Sequence, residues 1–111
     1  SLLQHALFAL HESNWGIAKK NWSEALGPAS KTSPEMINND WARAAAITQK
    51  LGYGQQLIDL FEENAYDRQF RPFFEALKAL ELGSEDYLLN VAEEVREPAK
   101  KIYQFMNHYK Q

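Results

Sequence analysis

A small–aromatic–small spacing near the start of the chain predicts how its helices pack. Ala18, Trp22 and Ala25 lie on one face of a predicted helix, with Trp15 one turn before them. The small residues let two helix axes approach closely, and the large ring fills the gap to a neighbouring helix pair. The spacing therefore predicts a helix hairpin that stacks on further hairpins.

Apolar residues recur at helical spacing along the whole chain, and no stretch alternates as a β-strand does. The sequence predicts an all-α fold of about seven helices, stacked as antiparallel hairpins in a single domain over residues 1–111. The predicted hairpins span about 2–29, 34–64 and 69–92, and a capping helix spans about 97–110.

Local residues mark several of the predicted helix ends. Pro28 predicts an end or a kink in the second helix. Ser33, followed by Pro34, predicts the start of the third helix, and residues 84–86 predict the start of a sixth. Glu97 and Pro98 predict the first turn of the last helix.

The chain repeats itself at a spacing of 31 residues. This shift aligns inner-helix, turn and outer-helix positions of two consecutive hairpins: Ala45 with Ala76, Leu51 with Leu82, Gly52 with Gly83, Leu57 with Leu88, and Ile58 with Leu89. Five matches in the same phase favour an internal repeat. The first hairpin aligns less directly, because a polar linker at residues 28–33 lengthens its spacing to the second.

These positions resemble the tetratricopeptide repeat, a unit of two antiparallel helices. The resemblance covers roughly residues 1–95 and is best in the first unit, at Ala6, Asn14, Trp15, Ala18, Trp22 and Ala25. The later units keep fewer of the family's residues: they retain Trp41, Ala45, Gly52, Phe61, Ala76 and Gly83, and depart at Leu57, Asn64, Pro72, Leu88 and Ala92. The resemblance implies a stack of hairpins that binds protein.

A second resemblance concerns two segments in the C-terminal half, Arg71–Leu77 and Glu94–Ala99. They are similar to runs in the C-terminal helical-repeat regions of bacterial signalling ATPases of the STAND class. This resemblance implies a sensor or scaffold segment of a larger signalling protein. The start of the chain at Ser1, already within the helical pattern, agrees with that expectation.

Composition narrows the predicted function. With 15 acidic and 12 basic residues, the chain carries a net charge of −3. The sequence shows no basic face of the kind that binds nucleic acid. No apolar run approaches the ~20 residues that cross a bilayer. The chain has no cysteine for a disulfide, a thiolate metal site or a nucleophile. We therefore expect a cytoplasmic protein without nucleic-acid or membrane partners.

The sequence contains no recognisable catalytic or cofactor motif. A Gly-Lys-Ser/Thr phosphate loop is absent, and the Gly52–Tyr53–Gly54 segment lacks the third glycine and the preceding strand of a dinucleotide site. His5, His11 and His108 are too scattered for a paired metal motif. We expect no enzymatic activity, no cofactor and no metal.

The tetratricopeptide resemblance implies that inner helices line a groove for a partner. Carried over by position, the candidate partner-binding face consists of Leu3, Leu7, Leu10, His11, Ala42, Ala46, Gln49, Lys50, Phe70, Phe73 and Leu77. This mostly apolar face suits an amphipathic helix of a protein or peptide partner, self-association with a second copy, or the chain's own last helix. That last helix carries Ile102, Phe105, Met106 and Tyr109 and could cap the stack.

The sequence thus predicts a protein-interaction domain with a scaffolding or regulatory role. Two alternatives stay open. A helical repeat that binds nucleic acid requires a basic stripe on the folded surface. A sensor of a small ligand requires a closed apolar pocket instead of an open groove.

Overall fold

Every regular element in the described part of the computed structural model is an α-helix. The description covers residues 2–29, 39–64, 71–81 and 92–109. Six helices lie within these ranges: α1 (Leu2–His11), α2 (Trp15–Ala29), α3 (Asn39–Lys50), α4 (Gly54–Asn64), α5 (Arg71–Glu81) and α6 (Glu93–His108). The predicted all-α character is confirmed for these residues.

The C-terminal ends of α2 and α3 fall where local residues predict them. α2 runs to Ala29, just past Pro28, and α3 ends at Lys50, before Gly52. The predicted start of the third helix at Ser33 and the body of the predicted sixth helix, residues 84–91, lie outside the described residues.

α6 begins at Glu93, four residues before the predicted start at Glu97, and therefore contains Pro98 in its interior. Proline lacks the N–H that would bond to the carbonyl of Glu94. Ala92 precedes the helix in an extended conformation and provides no side-chain cap. Burial offsets these two weaknesses, because one face of α6 is packed in the core through Val95, Ala99 and Ile102.

The turns that close the first two hairpins share one backbone geometry. Ser13 (φ 58°) and Gly52 (φ 95°) both adopt the left-handed conformation. Each donates its N–H to the carbonyl three residues before it, and the next residue donates to the carbonyl five residues before itself. The latter bonds join Asn14 N–H to the Ala9 carbonyl (2.8 Å) and Tyr53 N–H to the Thr48 carbonyl (3.0 Å). Both turns are Schellman motifs.

These equivalent turn residues lie 39 positions apart, and the same spacing relates core residues of the two hairpins. Ala6 corresponds to Ala45 in α1 and α3, the first or inner helices of the two hairpins. Trp22 corresponds to Phe61 in α2 and α4, their second or outer helices. All four residues are buried. The first hairpin therefore repeats in the second at 39 residues, which is why it aligns poorly at a shift of 31.

The two hairpins lie side by side, with α1 against α3 and α2 against α4. Four aromatic rings, hereafter the aromatic cluster, join them to α5: Trp22 of α2, Trp41 of α3, Phe61 of α4 and Phe73 of α5. Ring centroids are 5.7 Å apart for Trp22–Trp41, 6.1 Å for Trp22–Phe61, 6.3 Å for Trp41–Phe73 and 5.6 Å for Phe61–Phe73. Because each ring comes from a different helix, the cluster fixes the relative positions of four helices.

A second aromatic contact joins the hairpins at their turns. The Trp15 and Tyr53 rings stack nearly parallel, with centroids 5.8 Å apart and an interplanar angle of 11°. At the start of α2, Asn14 Oδ1 accepts a hydrogen bond from the N–H of Ile17 (3.1 Å) and so caps the helix. The first hairpin is thus anchored to the second at its turn as well as through Trp22.

The shared turn geometry generates a reciprocal prediction. Glycine adopts positive φ without the steric cost that other residues incur. Replacing Ser13 by Gly should therefore raise the free energy of unfolding by about 0.5–1 kcal/mol, and replacing Gly52 by Ser should lower it by about 1–2 kcal/mol. Urea denaturation followed by circular dichroism measures both. Equal effects of the same sign would contradict the equivalence of the two turns.

Candidate functional site: the inner helices and the α3–α6 cleft

Much of the predicted partner-binding face lies inside the folded chain. Five of its members are buried: Leu10, Ala42, Ala46, Phe73 and Leu77. Leu3, Leu7 and Gln49 are half-buried, whereas His11 and Lys50 are exposed; Phe70 lies outside the described residues. The five buried side chains are not accessible to a partner in this arrangement.

Phe73 departs most clearly from its predicted place in a groove. Its ring contacts Phe61 and Trp41, so it belongs to the aromatic cluster that joins the hairpins. Leu77, one turn later, is completely buried, and its carbonyl accepts a hydrogen bond from the Gln49 side-chain amide (3.2 Å). This face of α5 therefore packs within the chain.

α6 is the helix that packs against both α3 and α5. Its buried face consists of Val95, Ala99 and Ile102, and half-buried Phe105 and Met106 extend that contact toward its C-terminal end. The chain's own last helix thus covers α3 and α5. From the sequence alone, either a partner helix or this last helix could lie there. Small residues on α3 suit such a helix, because they allow close approach of its backbone.

A cleft of about 290 Å³ remains between α3 and the last turns of α6. Arg43 and Ile47 line it from α3, and Phe105, His108 and Tyr109 line it from α6. The guanidinium carbon of Arg43 lies 5.3 Å from the centroid of the Phe105 ring, which is within cation–π range.

One end of the cleft is bounded by a contact between α1 and α6. The Tyr109 hydroxyl lies 3.3 Å from His11 Nε2, and the two rings are 6.4 Å apart, centroid to centroid. The contact joins residues 98 positions apart in the sequence and ties the C-terminal end of α6 to the first hairpin.

Of these residues, the predicted face included only His11. Sequence spacing gives a partial signal for the others, because Arg43 and Ile47 share one face of α3, and Phe105 and Tyr109 share one face of α6. That signal identifies two faces but does not show that they meet. Their meeting depends on the docking of α6, which helical periodicity alone does not predict.

The described residues were also compared with the requirements of a metal site and of a membrane-spanning helix. Within them, no group of three or more histidine, aspartate or glutamate side chains is placed to hold a metal ion. None of the helices described is both long enough and apolar enough to cross a membrane.

Comparison with protein-family models, with curated proteins and with solved structures finds no match.

The docking of α6 generates a prediction about stability. Ile102 is completely buried, whereas Ile17 on α2 is 52% exposed. Replacing Ile102 by Ala should lower the free energy of unfolding by about 2–5 kcal/mol through lost burial and a residual cavity. It should also increase hydrogen exchange of the α6 amides before that of α2. The matched Ile17→Ala control should change stability by less than about 0.5 kcal/mol; equal losses in the two variants would contradict the docked position of α6.

Proposed function

We propose that the chain is a tetratricopeptide-like interaction domain that binds an amphipathic helix of a protein partner on its inner helices. In this proposal it has a scaffolding or regulatory role within a larger signalling protein. The repeated hairpin geometry of α1–α2 and α3–α4 supports the hairpin-stack part of the proposal. The observation that carries the binding part is the amphipathic helix α6, which packs on both α3 and α5.

The contacts of α6 define the kind of helix that such a surface accepts. Val95, Ala99 and Ile102 are spaced by four and three residues and form one buried stripe. The remaining surface of α6 is mainly polar, with exposed Glu94, Arg96, Glu97, Lys100 and Gln104. This is the pattern by which amphipathic helices bind apolar grooves. A partner helix with the same apolar spacing would compete with α6 for these contacts.

α6 has features that favour such competition. It lacks a side-chain cap at Ala92, and Pro98 removes one hydrogen bond from its interior. Its helical state therefore depends on packing against α3 and α5 more than on its own sequence. Elements of this kind exchange between docked and undocked states at lower cost than the rest of a domain.

The proposal predicts binding of the α6 sequence in trans. A labelled peptide of residues 92–109 should bind the Ile102→Ala chain at least about tenfold more tightly than the wild-type chain, because the variant's own helix competes less well. Fluorescence anisotropy measures the affinity, and circular dichroism checks that the chain remains helical. The milder Ile102→Val variant should give an intermediate affinity.

The matched control is the same peptide carrying Ile102→Asp, which places a charge in the buried stripe and should not bind. If the folded variant chains bind the unmodified peptide no better than the wild-type chain does, the inner helices do not form an exchangeable helix-binding surface. Equal binding of the control peptide would contradict the proposal as well.

A further inference from the structure

We propose that the α3–α6 cleft binds a small organic acid, with the carboxylate on Arg43 and the apolar part against Ile47 and Phe105. This inference goes beyond the proposed helix-binding function, because its ligand occupies the cleft while α6 stays docked. It rests on the state of Arg43, on the charges around the cleft and on the size of the cleft.

Arg43 carries the donors that bind a planar anion. Its guanidinium carbon lies 5.3 Å from the centroid of the Phe105 ring, which places the charged group beside an apolar surface. The N–H donors of a guanidinium form a fork that binds a carboxylate through two parallel hydrogen bonds.

The described side chains that line the cleft include one fixed positive charge and no carboxylate. Arg43 supplies that charge, and the other lining residues are Ile47, Phe105, His108 and Tyr109. In a chain of net charge −3, a guanidinium in a lining without a carboxylate favours an anionic ligand.

The position of the carboxylate follows from the helix ends. His11 and His108 lie in the last turns of α1 and α6, where the helix carries partial negative charge. An anion is therefore better placed beside Arg43 than beside the two histidines. The cleft volume of about 290 Å³ is at the lower limit of small-molecule sites. That size suits one acid of the dimensions of 3-phenylpropionate.

The test is a titration of the full chain with 3-phenylpropionate, followed by NMR of the Ile47 methyl groups and of the Arg43 and Tyr109 amides. We expect saturable shifts confined to the cleft. The uncharged analogue 3-phenylpropionamide should bind at least about tenfold more weakly, because it cannot form the charge-assisted pair. The Arg43→Gln variant should lose affinity for the acid by a similar factor. Lys20→Gln, at an exposed position on α2, is the matched control and should leave the affinity unchanged.

Four results would overturn the proposal. One is the absence of saturable shifts up to about 10 mM acid. Another is equal affinity for the amide, and a third is unchanged affinity in a folded Arg43→Gln chain. The fourth is binding of a short peptide that ends in phenylalanine but not of the free acid, which would assign the cleft to a protein terminus instead.

Discussion

The edge-to-face contact between Trp22 and Trp41 is the interaction on which the rest of the arrangement depends. Trp22 is completely buried, and its ring also meets Phe61, so one side chain links α2 to α3 and α4. Within the described residues its indole N–H has no acceptor, so its size and shape, rather than a hydrogen bond, account for its contribution. Loss of a buried ring of this size costs about 3–5 kcal/mol, a large part of the 5–15 kcal/mol that stabilises a typical domain.

The aromatic cluster also explains where a binding surface can lie. Because Phe73 turns toward Phe61 and Trp41, α5 is fixed to the first two hairpins, and α6 then packs across α3 and α5. α3 and α5 provide the contacts, and α6, which has no side-chain cap and contains Pro98, depends on packing against them. The same packing therefore underlies the stability and the proposed function. The aromatic cluster positions α5 beside α3, and α6 packs against both.

The sequence predicted the features that depend on local residues. Gly52 marks its turn because glycine favours positive φ, and the spacing of Ala18 and Trp22 predicts a buried, stacked hairpin face. Ser13 adopts the same turn conformation although it is not a glycine, so its residue type does not predict its positive φ. Periodicity shows that Phe73 and Leu77 form an apolar face but not which element covers it. The early start of α6 and the meeting of Arg43 with Phe105, 62 positions apart, depend on tertiary packing, which overrides the local signal of Pro98.

NMR contacts between α6 and the rest of the chain test the docking of α6 most directly. Nuclear Overhauser effects between the Arg43 side chain and the Phe105 ring, and between the Tyr109 and His11 rings, should appear together with those between Trp22 and Phe61. The Trp22–Phe61 effect reports the contact between α2 and α4, and the other two report the docking of α6. If Trp22 and Phe61 are in contact but neither contact of α6 is observed, α6 does not cover α3 and α5, and the docked position of α6 is contradicted.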